Sequence, residues 1–79
     1  MNRFKKACQN VVDNQELPEL NWAVNYAKYG LTIEDKHEAE VQTLYILNNL
    51  DEWYGKVAKE TKKLFNDFIK EYLKELKKL

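Results

Sequence analysis

"YILNNLDEWYG", residues 45–55, decides the fold: it either continues one very long helix or folds it into a hairpin. Asn48 and Asn49 interrupt an apolar run, and asparagine side chains compete for backbone hydrogen bonds in a way that favours helix ends over helix interiors. Beyond them a new 3/4 spacing begins with Leu50, Tyr54, Val57, Thr61, Leu64 and Phe68. Phe65, Ile69, Tyr72, Leu73, Leu76 and Leu79 continue it. One unbroken helix over 33–78 would leave too much apolar surface uncovered in a monomer. The stretch therefore reads as an αα-corner plugged by Leu50, with Trp53 and Tyr54 folded over it. Asp51 is expected to cap the next helix, with Glu52 in its first turn. Gly55 falls inside the renewed pattern, where it costs about 1 kcal/mol relative to alanine but admits close approach by another helix.

Working outward, Phe4, Ala7, Cys8, Val11 and Val12 form one apolar stripe and predict a first helix over 2–14. Asn14 and the residue before Pro18 end it. Pro18 then suits the first turn of a second helix over 18–29, where its missing N–H has no intrahelical partner to lose. Leu20, Ala23, Val24 and Ala27 give that helix a narrow face, and Trp22, Tyr26 and Tyr29 line another. Gly30 reads as a left-handed C′ residue closing it. Thr32 and Asp35 resemble a capping box for a third helix over 33–48. Its second half, "VQTLYIL", is apolar on nearly every side, as expected of a central helix touched by more than one neighbour.

These elements predict an all-α protein, a small bundle of three to four helices with a long C-terminal helix over 51–78, in a single domain spanning 1–79. With 79 residues, two glycines and one proline, the chain has room for one core and no large enclosed active site. Leu44, Leu47, Val57, Leu64 and Phe68 are the expected core. Helix four, at about 28 residues or roughly 42 Å, outruns helix three by nearly a factor of two. Helices one and two can cover part of the surplus; the rest predicts a homodimer or another protein partner through Phe65, Phe68, Tyr72, Leu73, Leu76 and Leu79.

The formal charge is zero but unevenly distributed. Residues 13–52 carry nine acids against Lys28 and Lys36, whereas residues 53–79 carry eight lysines against four acids. That distribution bears on nucleic acid. Helix two, Gly30 and helix three superficially resemble a helix-turn-helix, yet the would-be recognition helix opens "IEDKHEAE" and would repel phosphates. The alternative is weak, salt-sensitive binding without sequence preference along Lys59, Lys62, Lys63 and Lys70 on helix four. The single arginine, Arg3, leaves little for bidentate base reading.

Enzyme chemistry finds no foothold. Glu34 and His37 have Glu-x-x-His spacing, but a di-iron carboxylate bundle needs two such motifs and further glutamates. No nucleophile is paired with His37, and no phosphate-cradling glycine loop or Cys/His knuckle is present. Cys8, on the apolar stripe, is expected to be a small buried hydrophobe. No cofactor, metal or small-molecule substrate is predicted. No apolar run approaches the roughly 20 residues of a membrane span, and the opening "MNRFKKACQNVV" lacks a signal-peptide core, so a cytoplasmic location is expected.

"WAVNYAKYGL" and "EVQTLYILNNLDEWYGKVAKETKKLF" together resemble small, mostly uncharacterised helical proteins of phages and mobile elements of Gram-positive bacteria. The shared features are Tyr-Ala before a glycine, the "LYILNNL" segment, and a Trp followed closely by glycine and a lysine-rich helix. Those proteins often carry Arg between the Trp and the Gly, where this chain has Tyr54. The resemblance implies no activity; it implies an accessory or regulatory protein that acts by contact.

Overall fold

A computed structural model describes residues 1–78. The chain does leave the helix at the double asparagine. The Asn48, Asn49 and Leu50 N–H groups still donate to the Leu44, Ile46 and Leu47 carbonyls, and the Asn49 side-chain amide donates to the Tyr45 carbonyl at 2.8 Å. These bonds satisfy the helix's last acceptors, as a helix end requires. Leu50 and Trp53 are then buried, and the Trp53 N–H donates back to the Leu50 carbonyl at 3.0 Å. Tyr54 instead points to solvent.

Four α-helices result: α1 (Asn2–Asp13), α2 (Asn21–Gly30), α3 (Lys36–Leu47) and α4 (Lys56–Lys77), with a 3-10 turn over Pro18–Leu20 leading into α2. The all-α bundle with a long last helix is as expected, while the starts of the second, third and fourth helices each move inward by three residues or more. Pro18 opens the tight 3-10 turn, not the α-helix itself. Thr32 caps nothing ahead of it: its hydroxyl donates to the Tyr29 carbonyl at 2.7 Å, closing α2. Asp35 alone is the N-cap of α3, its carboxylate accepting the Glu38 N–H at 2.9 Å, while Ile33 is buried before the helix begins. α4 starts at Lys56, so Asp51 does not cap it; Gly55 is the N-cap residue.

The two glycines exchange their expected roles. Gly55 is the left-handed one, with φ 111° and ψ −179°, and open space where a Cβ would stand. It turns the chain from the buried Trp53 into α4. Gly30 is an ordinary helical residue whose hydrogen faces the core: a Cβ there would lie 2.7 Å from Cys8 Sγ and 3.1 Å from Phe4 Cζ. The end of α2 is closed by α1, since Lys5 Nζ donates to the Gly30, Leu31 and Ile33 carbonyls. A cation at a helix C-terminus also suits the dipole.

The core lies mainly where α1 packs against α4. Phe4 sits edge-on to Phe65 at 6.2 Å and tilted on Phe68 at 5.4 Å, and Ala7, Cys8 and Val11 continue the α1 side. The two helices run antiparallel: Arg3 pairs with Glu71 at one end, and Asn10 Nδ2 donates to Thr61 Oγ1 at 3.1 Å towards the other. The buried stripe of α4 is Ala58, Thr61, Phe65 and Phe68. Thr61 and Phe68 are buried as the expected series requires, while Ala58 and Phe65 take the places expected for Val57 and Leu64. Val57 is accordingly exposed and Leu64 half-buried. Thr61 tolerates full burial because its hydroxyl donates to the Val57 carbonyl at 2.7 Å.

α3 corrects the expected core most. It buries Ala39, Gln42, Thr43 and Ile46, whereas Leu44 is 50% exposed and Leu47 only half-buried. The inward polar groups are satisfied: Thr43 Oγ1 donates to the Ala39 carbonyl and Gln42 Nε2 to the Tyr26 carbonyl. The helix is therefore flanked by α2 and α4 on one side and bare on the other.

Candidate interaction surface

α4 is 22 residues long, about 33 Å, against 12 residues, about 18 Å, for α3. The two are antiparallel. Lys62 Nζ donates to the Trp53 carbonyl at 2.8 Å near the corner, and Lys36 Nζ pairs with Glu75 at 2.9 Å where α3 begins. α3 thus reaches as far as Glu75, past the level of Leu73, and only Leu76 and Lys77 of α4 lie beyond that pair. The two lengths still differ, but little of the surplus lies at the distal end, where it was expected; most of it lies on the corner side of α3.

Of the residues expected to meet a partner, Phe65 and Phe68 are committed to the chain's own core and present no surface. Tyr72 is half-buried, its hydroxyl 3.4 Å from His37 Nδ1. Leu73 and Leu76 are the exposed pair, at 46% and 44%. Leu79 lies outside the described residues. Glu71 and Glu75, the acids of this segment, are engaged by Arg3 and Lys36. Lys70, Lys74 and Lys77 form no ion pair among the described residues, so the free charge around Leu73 and Leu76 is positive.

The lysines of the nucleic-acid alternative divide. Lys59, Lys63 and Lys70 are exposed along the outer side of α4, with Lys63 tied to Asp67 at 2.8 Å. That hydrogen bond, together with the nearby cations, holds the Asp67 carboxyl below its usual range. Lys62 does not belong with them. It is half-buried, holds the corner through the Trp53 carbonyl, and lies 5.4 Å over the Tyr54 ring.

A second exposed surface lies on α2. Trp22, Tyr26 and Tyr29 recur at i, i+4 and i+7 along α2 and are all exposed, Trp22 at 72%. The Tyr26 ring stacks on Tyr45 of α3 at 5.8 Å, and Tyr29 Oη donates to Glu38 Oε1 at 3.2 Å. Glu38 accordingly raises the Tyr29 phenol above its ordinary value, through its charge and then the hydrogen bond. Val41 and Leu44 extend this surface across α3. The aromatic stripe of α2 was visible in the sequence; its exposure was not.

Burial pushes the Cys8 thiol up to about 12, as suits an inert core residue. Among the described residues no group of three or more His, Cys, Asp or Glu side chains converges as a metal site, and no helix is long and apolar enough to cross a membrane. Comparisons with protein-family models, curated proteins and solved structures returned no match.

Proposed function

We propose that this is a non-enzymatic interaction or regulatory accessory protein that works through the distal end of its long C-terminal helix. One observation carries the reading: Leu73 and Leu76 remain about half exposed at the distal end of α4, beside lysines that form no ion pair among the described residues. Exposed apolar surface with a charged rim marks contact sites more often than idle surface. The resemblance to small phage and mobile-element proteins points the same way. A second reading, nonspecific nucleic-acid binding, draws on the outward row of Lys59, Lys63 and Lys70, without Lys62.

A photo-crosslinking amino acid placed at position 76, in cells that natively express the protein, tests both. The expected result is a discrete protein adduct that is absent when the same group replaces exposed Glu16. An adduct to nucleic acid would favour the second reading. No adduct from position 73 or 76 would contradict the first.

A further inference from the structure

α3 is packed with its bulkier apolar side chains outward. It buries Ala39, Gln42 and Thr43 together with Ile46, and leaves Val41, Leu44 and Tyr45 to solvent. A segment that is apolar on nearly every side, as the second half of α3 is, is normally covered all round, and this one has neighbours on one side only. His37, Val41 and Leu44 follow one another at i, i+4 and i+7. The contact of His37 with Tyr72 leads that stripe to the distal end of α4, beside Leu73 and Leu76. The other edge of α3 continues through the Tyr45–Tyr26 stack to Trp22. The free side of the bundle thus joins an aromatic field on α2 and α3 to a leucine ledge on α4.

The two parts carry opposite charge. Residues 21–55, from α2 to the corner, hold Glu34, Asp35, Glu38, Glu40, Asp51 and Glu52 against Lys28 and a Lys36 already paired with Glu75, whereas the ledge is rimmed by Lys70, Lys74 and Lys77. Laid against itself, either part would set like charges together. Laid against the other, each finds apolar surface at the centre and the opposite sign at the rim, the arrangement that favours docking and excludes wrong registers. We infer that a second copy of this chain covers this side in a reciprocal two-fold dimer, the α4 ledge of each copy lying on the α2–α3 aromatic field of the other. This inference rests on the reading that distal α4 works by contact, and it names the occupant.

The area is adequate. Aromatic side chains offer roughly 150–250 Å² each, so the exposed parts of Trp22, Tyr26 and Tyr45, with Val41 and Leu44, supply on the order of 500 Å² per copy. The leucine ledge and the apolar stems of its lysines bring this towards the roughly 800 Å² per partner of a stable interface. A two-fold axis closes the contact, since each copy gives one ledge and receives one.

Solution mass by light scattering tests the inference with a signature that other dimers lack. Wild type is expected at twice the 9.5 kDa chain mass at low ionic strength, with an apparent Kd that weakens at least about tenfold in high salt as the rims are screened. Leu76→Asp and Tyr45→Asp are each expected to be folded monomers by circular dichroism. Mixed in equal amounts they should form a dimer, because one intact ledge then meets one intact field. Leu44→Asp repeats the test should Tyr45→Asp lose helicity. A wild-type monomer would overturn the inference, as would a dimer broken by only one of the two substitutions, or variants that fail to associate on mixing. Each of those results would leave the crosslinking test of the α4 ledge standing by itself, so the two failures are distinguishable.

Discussion

Phe65→Ala is expected to cost about 3–5 kcal/mol, the range for deleting a fully buried aromatic ring. Phe65 has no exposed surface and sits edge-on to Phe4 at the centre of the α1–α4 contact. Deleting it removes apolar burial and leaves a void between two helices that the short connections hold in place. At roughly 0.05–0.15 kcal/mol per residue a domain of this size has a total stability of about 4–12 kcal/mol, so the substitution removes a large share of it. Leu44→Ala, by contrast, should cost less than about 1 kcal/mol, because half of Leu44 is already in water. Urea titrations at sub-micromolar protein concentration, where association adds nothing to apparent stability, measure both by far-ultraviolet circular dichroism. A Leu44→Ala loss as large as that of Phe65→Ala would mean that the core lies against α3 and not between α1 and α4.

Gly55→Ala is expected to cost about 1–3 kcal/mol even though nothing stands within 4 Å of where the methyl would go. The penalty is conformational: φ 111° with ψ −179° is open to glycine and strained for any L-residue carrying a Cβ. Relief would require Gly55 to move, and with it either the buried Trp53 or the start of α4. The unfolding midpoint reads the loss directly. A neutral or stabilising Gly55→Ala would show that the corner takes another conformation.

Much of this architecture was legible in the chain. Pro18, the double asparagine and the 3/4 series of α1 and α4 depend on local backbone chemistry and helical period, so the four helices and their antiparallel corner could be read directly. The phase of burial was less legible. "VQTLYIL" is apolar on nearly every side, and periodicity alone does not say which side turns inward. The choice fell to Thr43 and Gln42, which can be buried because carbonyls of Ala39 and Tyr26 stand within reach. Nor does sequence separate a glycine needed for its φ from one needed for its size. Gly30 is fixed by the nearness of Cys8 and Phe4, over twenty positions away in the chain, and Gly55 by the burial of Trp53.

The candidate surface divides along the same line. Phe65 and Phe68 share the apolar spacing of Leu73 and Leu76, and only the length of α3 and the course of α1 decide which of them are covered. The aromatic stripe of α2 was plain as a pattern. Its standing in solvent depends on the small residues Ala23, Ala27 and Gly30, which take the inward face and bring α2 close to α1.

The central claim is that the end of α4 serves contact and contributes little to folding. It is tested most directly by the unfolding free energy of the double variant Leu73→Asp/Leu76→Asp. The titration belongs at sub-micromolar protein concentration, where association adds nothing to apparent stability. Since both leucines are already about half exposed, the predicted change is less than about 1 kcal/mol. A loss of about 3 kcal/mol or more would place Leu73 and Leu76 in the packed core and contradict the account.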